Sequence, residues 1–143
     1  MQEKYATYSF LLDRTARRVK QFAQKRFKEY GIEVTVDQWI ILKKLAEHNG
    51  LNQKELSELV FKDTPTLTRI IDLLVEKSML IRRIDPKDRR KYRLELTGTG
   101  REVLTNYESQ IKQIRLKAWD GLTEDDFNGF SRIINRIYRN LEE

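Results

Sequence analysis

The chain has 143 residues, enough for one domain; with 35% charged and 39% apolar residues its core is expected to be thin and part of its apolar surface to be covered by a partner. It has no cysteine and one histidine, His48, which excludes disulfides, thiolate metal sites, thiol redox sensing and a multi-histidine zinc site. The net charge is +6, no apolar run approaches the ~20 residues of a membrane span, and Met1-Gln2-Glu3-Lys4 carries no signal-peptide pattern, so a cytoplasmic location is expected.

The first helical pattern runs from Tyr5 to Tyr30. Tyr8, Leu11, Leu12, Thr15, Val19, Phe22, Ala23 and Phe27 trace one broad face, and Arg14, Arg17, Arg18, Gln21, Lys25 and Lys28 lie mostly off it. Gly31 ends this helix. Thr35 and Gln38 form a capping box that opens the next one, with Trp39, Ile40, Leu42 and Leu45 as its apolar positions and Gly50 as its close. Asn52 and Glu55 form a second box ahead of Leu56, Leu59 and Val60. Phe61-Lys62 then leads into a further helix, Asp63–Lys77, capped by Asp63 or Thr64, with Pro65 in the first turn where a missing N–H costs nothing. Leu67, Ile70, Ile71, Leu74 and Val75 form its apolar stripe, and Thr66, Thr68, Arg69 and Asp72 lie opposite. Two short helices joined by a few residues are a helix-turn-helix, whose second member reads DNA.

The period then changes. Leu80-Ile81-Arg82-Arg83-Ile84 is rich in branched residues, and Tyr92, Leu94 and Leu96 alternate with Lys91, Arg93 and Glu95, so two strands are expected. The turn between them, Asp85-Pro86-Lys87-Asp88-Arg89-Arg90, is loaded with cations. Residues 82–93 hold seven cations and two anions, so a dozen residues carry +5 of the chain's +6. A charge run is often only a solvated face; on a hairpin tip beside a capped helix, phosphates are its natural partner. Thr97 caps a long helix with Val103, Leu104, Tyr107, Ile111, Ile114 and Ala118 close to a heptad seam. Gly121 breaks it, and Thr123 caps a last helix with Phe127, Phe130, Ile133, Ile134, Ile137, Tyr138 and Leu141 on one face.

The order of Gln53-x-Glu55-Leu56, Asp63-Thr64-Pro65-Thr66-Leu67-Thr68-Arg69, Asp85-Pro86, Asp88-Arg89-Arg90 and Leu96-Thr97-x-x-Gly100 resembles the MarR family of bacterial transcription regulators, from about Phe10 to the end of the chain. One departure is Ser78, where that family usually has glycine; a serine in a left-handed turn costs about 1 kcal/mol, or forces a different turn. The resemblance implies a mainly α fold with a small β-wing, in which residues 35–97 are the winged helix-turn-helix lobe and residues 1–32 and 98–143 form a homodimer interface.

Function follows in the same terms. Thr64, Thr66, Thr68 and Arg69 are expected to meet bases or phosphates in a major groove. The resemblance puts Arg90 in the minor groove, braced by Asp88, with Arg89 beside it; Arg82, Arg83, Lys87, Lys91 and Arg93 are backbone clamps or solubilising charges. A dimer presents two such helices about 34–36 Å apart, matching a pseudo-palindromic double-stranded operator. The family likeness also implies a small, often anionic aromatic effector, with Tyr8, Leu12, Phe22, Phe27, Tyr30, Trp39 and Lys43 as walls and Arg14, Arg17 and Arg18 for a carboxylate; the same aromatics equally suit a core. No cofactor, metal or catalytic constellation is expected: Asp125-Asp126 and Glu142-Glu143 are helix-end pairs, and no glycine-rich phosphate loop exists. The competing reading is a winged-helix protein-interaction module, which would have no need of a basic ribbon tip.

Overall fold

The computed structural model describes residues 2–48 and 50–143. Their order is α1 (Gln2–Tyr5), α2 (Tyr8–Glu29), α3 (Val36–Glu47), α4 (Gln53–Val60), α5 (Thr64–Glu76), β1 (Leu80–Ile84), β2 (Tyr92–Leu96), α6 (Gly98–Lys117) and α7 (Glu124–Asn140). The fold is mainly α with one two-stranded antiparallel ribbon, as the periodicities predict. Among the described residues, no helix is long and apolar enough to cross a membrane.

The expected caps form. Thr35 Oγ1 accepts from Gln38 N while Gln38 Oε1 accepts from Thr35 N, both at 3.1 Å, and Asn52 with Glu55 repeats the arrangement. Thr97 accepts from Gly100 N, and Thr123 makes a third reciprocal box with Asp126. Each hydroxyl or carboxamide satisfies an amide that has no partner inside its own helix. The first pattern is not one continuous helix. It breaks at Ala6-Thr7, where the Thr7 hydroxyl donates to the Lys4 carbonyl at 3.1 Å and competes with helical bonding.

The core lies within the winged lobe and spreads onto α6. Ile41 and Leu42 of α3, Leu56 of α4, Leu67, Ile71 and Leu74 of α5 and Leu80 of β1 are completely buried, with Leu94 of β2 nearly so. Val103, Ile111 and Ile114 of α6 and Phe27 of α2 complete the same cluster. The apolar seam of α6 does not wait for a second chain; it packs in its own protomer against α3 and α2, and Ala118 lies beyond the helix as its C-cap. The exposed apolar surface is elsewhere. Phe127, Phe130, Ile133 and Tyr138 of α7 and Leu141 at its C-cap are all exposed, as are Tyr8, Phe10, Leu11, Leu12 and Val19 of α2.

The turn after α5 shows how the chain meets a backbone demand without glycine. Ser78 takes φ 63°, Ser78 N donates to Val75 O, and Met79 N donates to Leu74 O, both at 2.9 Å. That is a Schellman closure, with buried Met79 and Leu74 as its apolar pair. Serine keeps the glycine geometry and bears its cost. Ser78→Gly is therefore expected to raise stability by about 1 kcal/mol, read from chemical denaturation.

Gly100 answers a different demand. A Cβ there would overlap the Met79 carbonyl oxygen, whereas one at Gly98, two residues earlier in the same helix, would meet nothing. Gly100→Ala is expected to cost about 1–3 kcal/mol, because backbone must move to admit it. Gly98→Ala is expected to be neutral or to gain up to about 1 kcal/mol by restricting the unfolded chain. Equal effects of the two substitutions in thermal melts would refute this reading.

Candidate nucleic-acid interface

Helices α4 and α5 meet across Phe61-Lys62-Asp63. Phe61 takes a left-handed backbone with φ 55°, which the sequence did not announce, since a bulky aromatic is a poor choice there. Its ring is exposed and meets Tyr138 of α7 edge-on at 6.3 Å. Asp63, rather than Thr64, is the N-cap: Asp63 Oδ1 accepts from Thr66 N at 2.8 Å. That amide, followed by the Thr66 side chain, holds the Asp63 carboxyl below the usual carboxylate range.

Burial of Leu67, Ile71 and Leu74 turns the other side of α5 outward. Thr64 and Arg69 are exposed, and Thr66 is half-buried near the helix start. Thr68 is less free than its position on the polar face suggests. Its hydroxyl accepts from Gln53 Nε2 at 2.6 Å, tying α5 to the first turn of α4. In the sequence Gln53 stands out only within the Gln53-x-Glu55-Leu56 motif; its reach to Thr68 spans fifteen positions and leaves no local pattern.

The hairpin pairs Leu80 with Leu96, Arg82 with Leu94 and Ile84 with Tyr92. Its cations divide into two groups. At the base, Arg82 pairs with Asp72 of α5, Arg83 Nε donates to Glu95 at 2.7 Å, and Arg93 Nε donates to the Gly50 carbonyl at 3.2 Å. At the tip, Lys87, Arg89, Arg90 and Lys91 are exposed. Asp85 accepts from Lys87 N, and Asp88 accepts from Arg90 N at 3.0 Å, so both acids shape the turn backbone. Asp88 also receives Arg90 Nε at 3.2 Å, yet the Arg90 side chain remains 90% exposed. The expected bracing of Arg90 by Asp88 is thus present. The Arg90 amide first, and then its guanidinium, hold the Asp88 carboxyl below its ordinary value.

The lobe is held to α2 through Asp37. Burial pushes its carboxyl up, but hydrogen bonds from Lys20 of α2 and Lys62 of the turn before α5 prevail, leaving it lowered. The two ion pairs are 3.0 and 3.2 Å long.

The residues expected around a small effector are dispersed within one protomer. Trp39 is buried in the core, whereas Tyr8, Leu12 and Tyr30 are exposed and Phe22 is half-buried. Tyr8 and Phe22 stand fourteen residues apart on α2, about 21 Å at ~1.5 Å per residue. Arg14 lies over the Phe10 ring, Arg17 pairs with Asp13, and Arg18 is exposed. Lys43 instead borders a cavity of about 330 Å³ between α3 and α6.

A helix-turn-helix followed by a two-stranded ribbon with a basic, outward-pointing tip defines a winged helix-turn-helix protein. Residues 34–92 match the family model described as the MarR family. The HTH-type transcriptional regulator SarZ of Staphylococcus epidermidis is 30% identical over 116 residues, covering 81% of this chain and 76% of that protein. The S. aureus MepR–DNA complex superposes with a TM-score of 0.82 at 22% identity, over 94% of this chain and 98% of MepR. The PcaV transcriptional regulator of Streptomyces coelicolor, solved in complex with its natural ligand, gives a TM-score of 0.75 at 26% identity, over 90% and 92% of the two chains. The chain belongs to the MarR family of winged-helix transcription regulators. Its relatives are regulators and not enzymes.

Because the Asp63 carboxyl is depressed below its ordinary 3.8, its capping contribution is complete above that value and is lost as pH falls through the folded one. Asparagine caps equally well without titrating. Asp63→Asn is expected to match wild type in melting temperature near pH 7 and to lose less of it between pH 5 and pH 3. Parallel loss in the two proteins would show that the cap does not carry this charge.

Proposed function

We propose that this regulator works as a homodimer on a pseudo-palindromic double-stranded operator in the cytoplasm, and that a small molecule modulates its hold. Arg90 carries the reading: a guanidinium at the hairpin tip, braced by Asp88 and otherwise exposed. A planar, permanently charged group of this kind suits the negative potential of a narrow minor groove. Thr64, Thr66 and Arg69 at the start of α5 are the proposed major-groove contacts, with Thr68 contributing mainly by fixing α5 against α4 through Gln53. Lys87, Arg89 and Lys91 are proposed phosphate contacts. Arg82 and Arg83 act one step back: their partners Asp72 and Glu95 hold the ribbon in place.

The exposed apolar faces of α7 and of the first half of α2 support the dimer, since surfaces of this size are seldom left to water. Repression released by an effector is the reading for regulation, supported by the likeness to PcaV with its ligand.

The test is fluorescence anisotropy on duplexes from the region upstream of the protein's own gene, at low and at physiological salt. Wild type is expected to retain one pseudo-palindromic duplex at physiological salt. Arg90→Ala is expected to bind it at least tenfold more weakly, with the slope of log K against log salt reduced by about 1. Equal binding of all duplexes at low salt, unchanged in Arg90→Ala, would reduce the tip to a polyelectrolyte patch and favour a protein partner.

A further inference from the structure

Beneath the base of the wing lies a cavity of about 320 Å³ lined by Leu45 of α3, Gly50, residues Arg93 to Leu96 of β2, and Arg101 of α6. It shares none of the residues expected from sequence to meet an effector. Leu45 and Leu94 are buried behind its wall, which is mainly polar.

The rim is cationic. Arg93 uses its Nε on the Gly50 carbonyl, and its guanidinium packs so closely on Gly50 that a Cβ there would stand 3.0 Å from it. One of its five N–H groups is thereby engaged; among the described residues the others have no partner. Arg101 has no acidic partner within 4.0 Å among the described residues. The one acid in the wall, Glu95, is already paired with Arg83 at 2.7 Å. Two guanidiniums therefore border one concavity, and no carboxylate among the described residues answers both.

We propose that this cavity is a binding site for a small carboxylate, held by Arg93 and Arg101. A guanidinium presents two parallel N–H groups that match the two oxygens of a carboxylate. Cavity volumes from about 300 Å³ are those of small-molecule sites, and the mainly polar wall suits a short, hydrophilic carboxylate. Arg93 belongs to β2 of the wing and Arg101 to the first turn of α6, so the occupant bridges the ribbon and the helix that follows it through Thr97.

The test is an NMR titration of the ¹⁵N-labelled full chain without DNA, so it stands apart from the DNA reading. The probe is succinate, against sodium chloride at matched ionic strength, and the signals are the arginine side-chain Nε–Hε resonances. Succinate is expected to shift Arg93 and Arg101 along one saturable curve. Arg101→Gln, a change at an exposed position that leaves the fold intact, is expected to weaken that curve at least tenfold as read at Arg93. Arg17→Gln is expected to leave it unchanged. Shifts reproduced by chloride, or an Arg101→Gln protein that titrates like wild type, would overturn the site.

Discussion

The structure depends on the burial of α3. Ile41 and Leu42 are fully inaccessible, and the helix touches α2, α4, α5, α6 and β2. Its polar first turn is as constraining as its apolar face. Asp37 holds Lys20 of α2 and Lys62 of the turn before α5. Gln38, buried and already part of the capping box, also accepts from Lys77 at the end of α5 at 3.1 Å. One turn of α3 therefore grips both ends of the helix that presents Thr64, Thr66 and Arg69. Fixed at both ends and packed along Leu67, Ile71 and Leu74, α5 has little freedom to rotate its outer face.

The wing is held in the same manner, by its base and not by its tip. Arg82 reaches Asp72 on α5, Arg93 reaches Gly50, and Leu94 N donates to Leu51 O at 2.9 Å. These contacts set where the ribbon points. Beyond Ile84 the two acids of the turn are spent on backbone amides, and the cations project without restraint from the core. Exposed ion pairs contribute little to stability, so the value of the Asp88–Arg90 pair lies in aiming a guanidinium.

Much of this was legible in the residues, because local rules carry it. The capping boxes at Thr35 and Asn52, the apolar stripe of α5 and the alternation of β2 each depend on neighbours a few positions away, and each appears where its pattern falls. What stayed hidden depends on distant pairs. Seven cations between 82 and 93 look alike in sequence; only Asp72, Glu95 and the Gly50 carbonyl, reached through folding, separate base from tip. The seam of α6 has a spacing that suits another chain as well as its own α3, and periodicity does not say which surface covers it. Phe61 takes a conformation that runs against its own preference, so nothing local foretells it.

The division of the wing into a clamped base and a free tip separates two kinds of mutational tolerance. A change at Arg82 releases Asp72 to water and frees the ribbon from α5, and a change at Arg93 leaves the part-buried Gly50 carbonyl without its donor, so both loosen the seating of the wing. Lys87, Arg89 and Lys91 have no such dependants among the described residues. The tip is thus able to drift in sequence while the lobe beneath it stays folded. Through such drift one scaffold retunes the charge it presents without first becoming unstable.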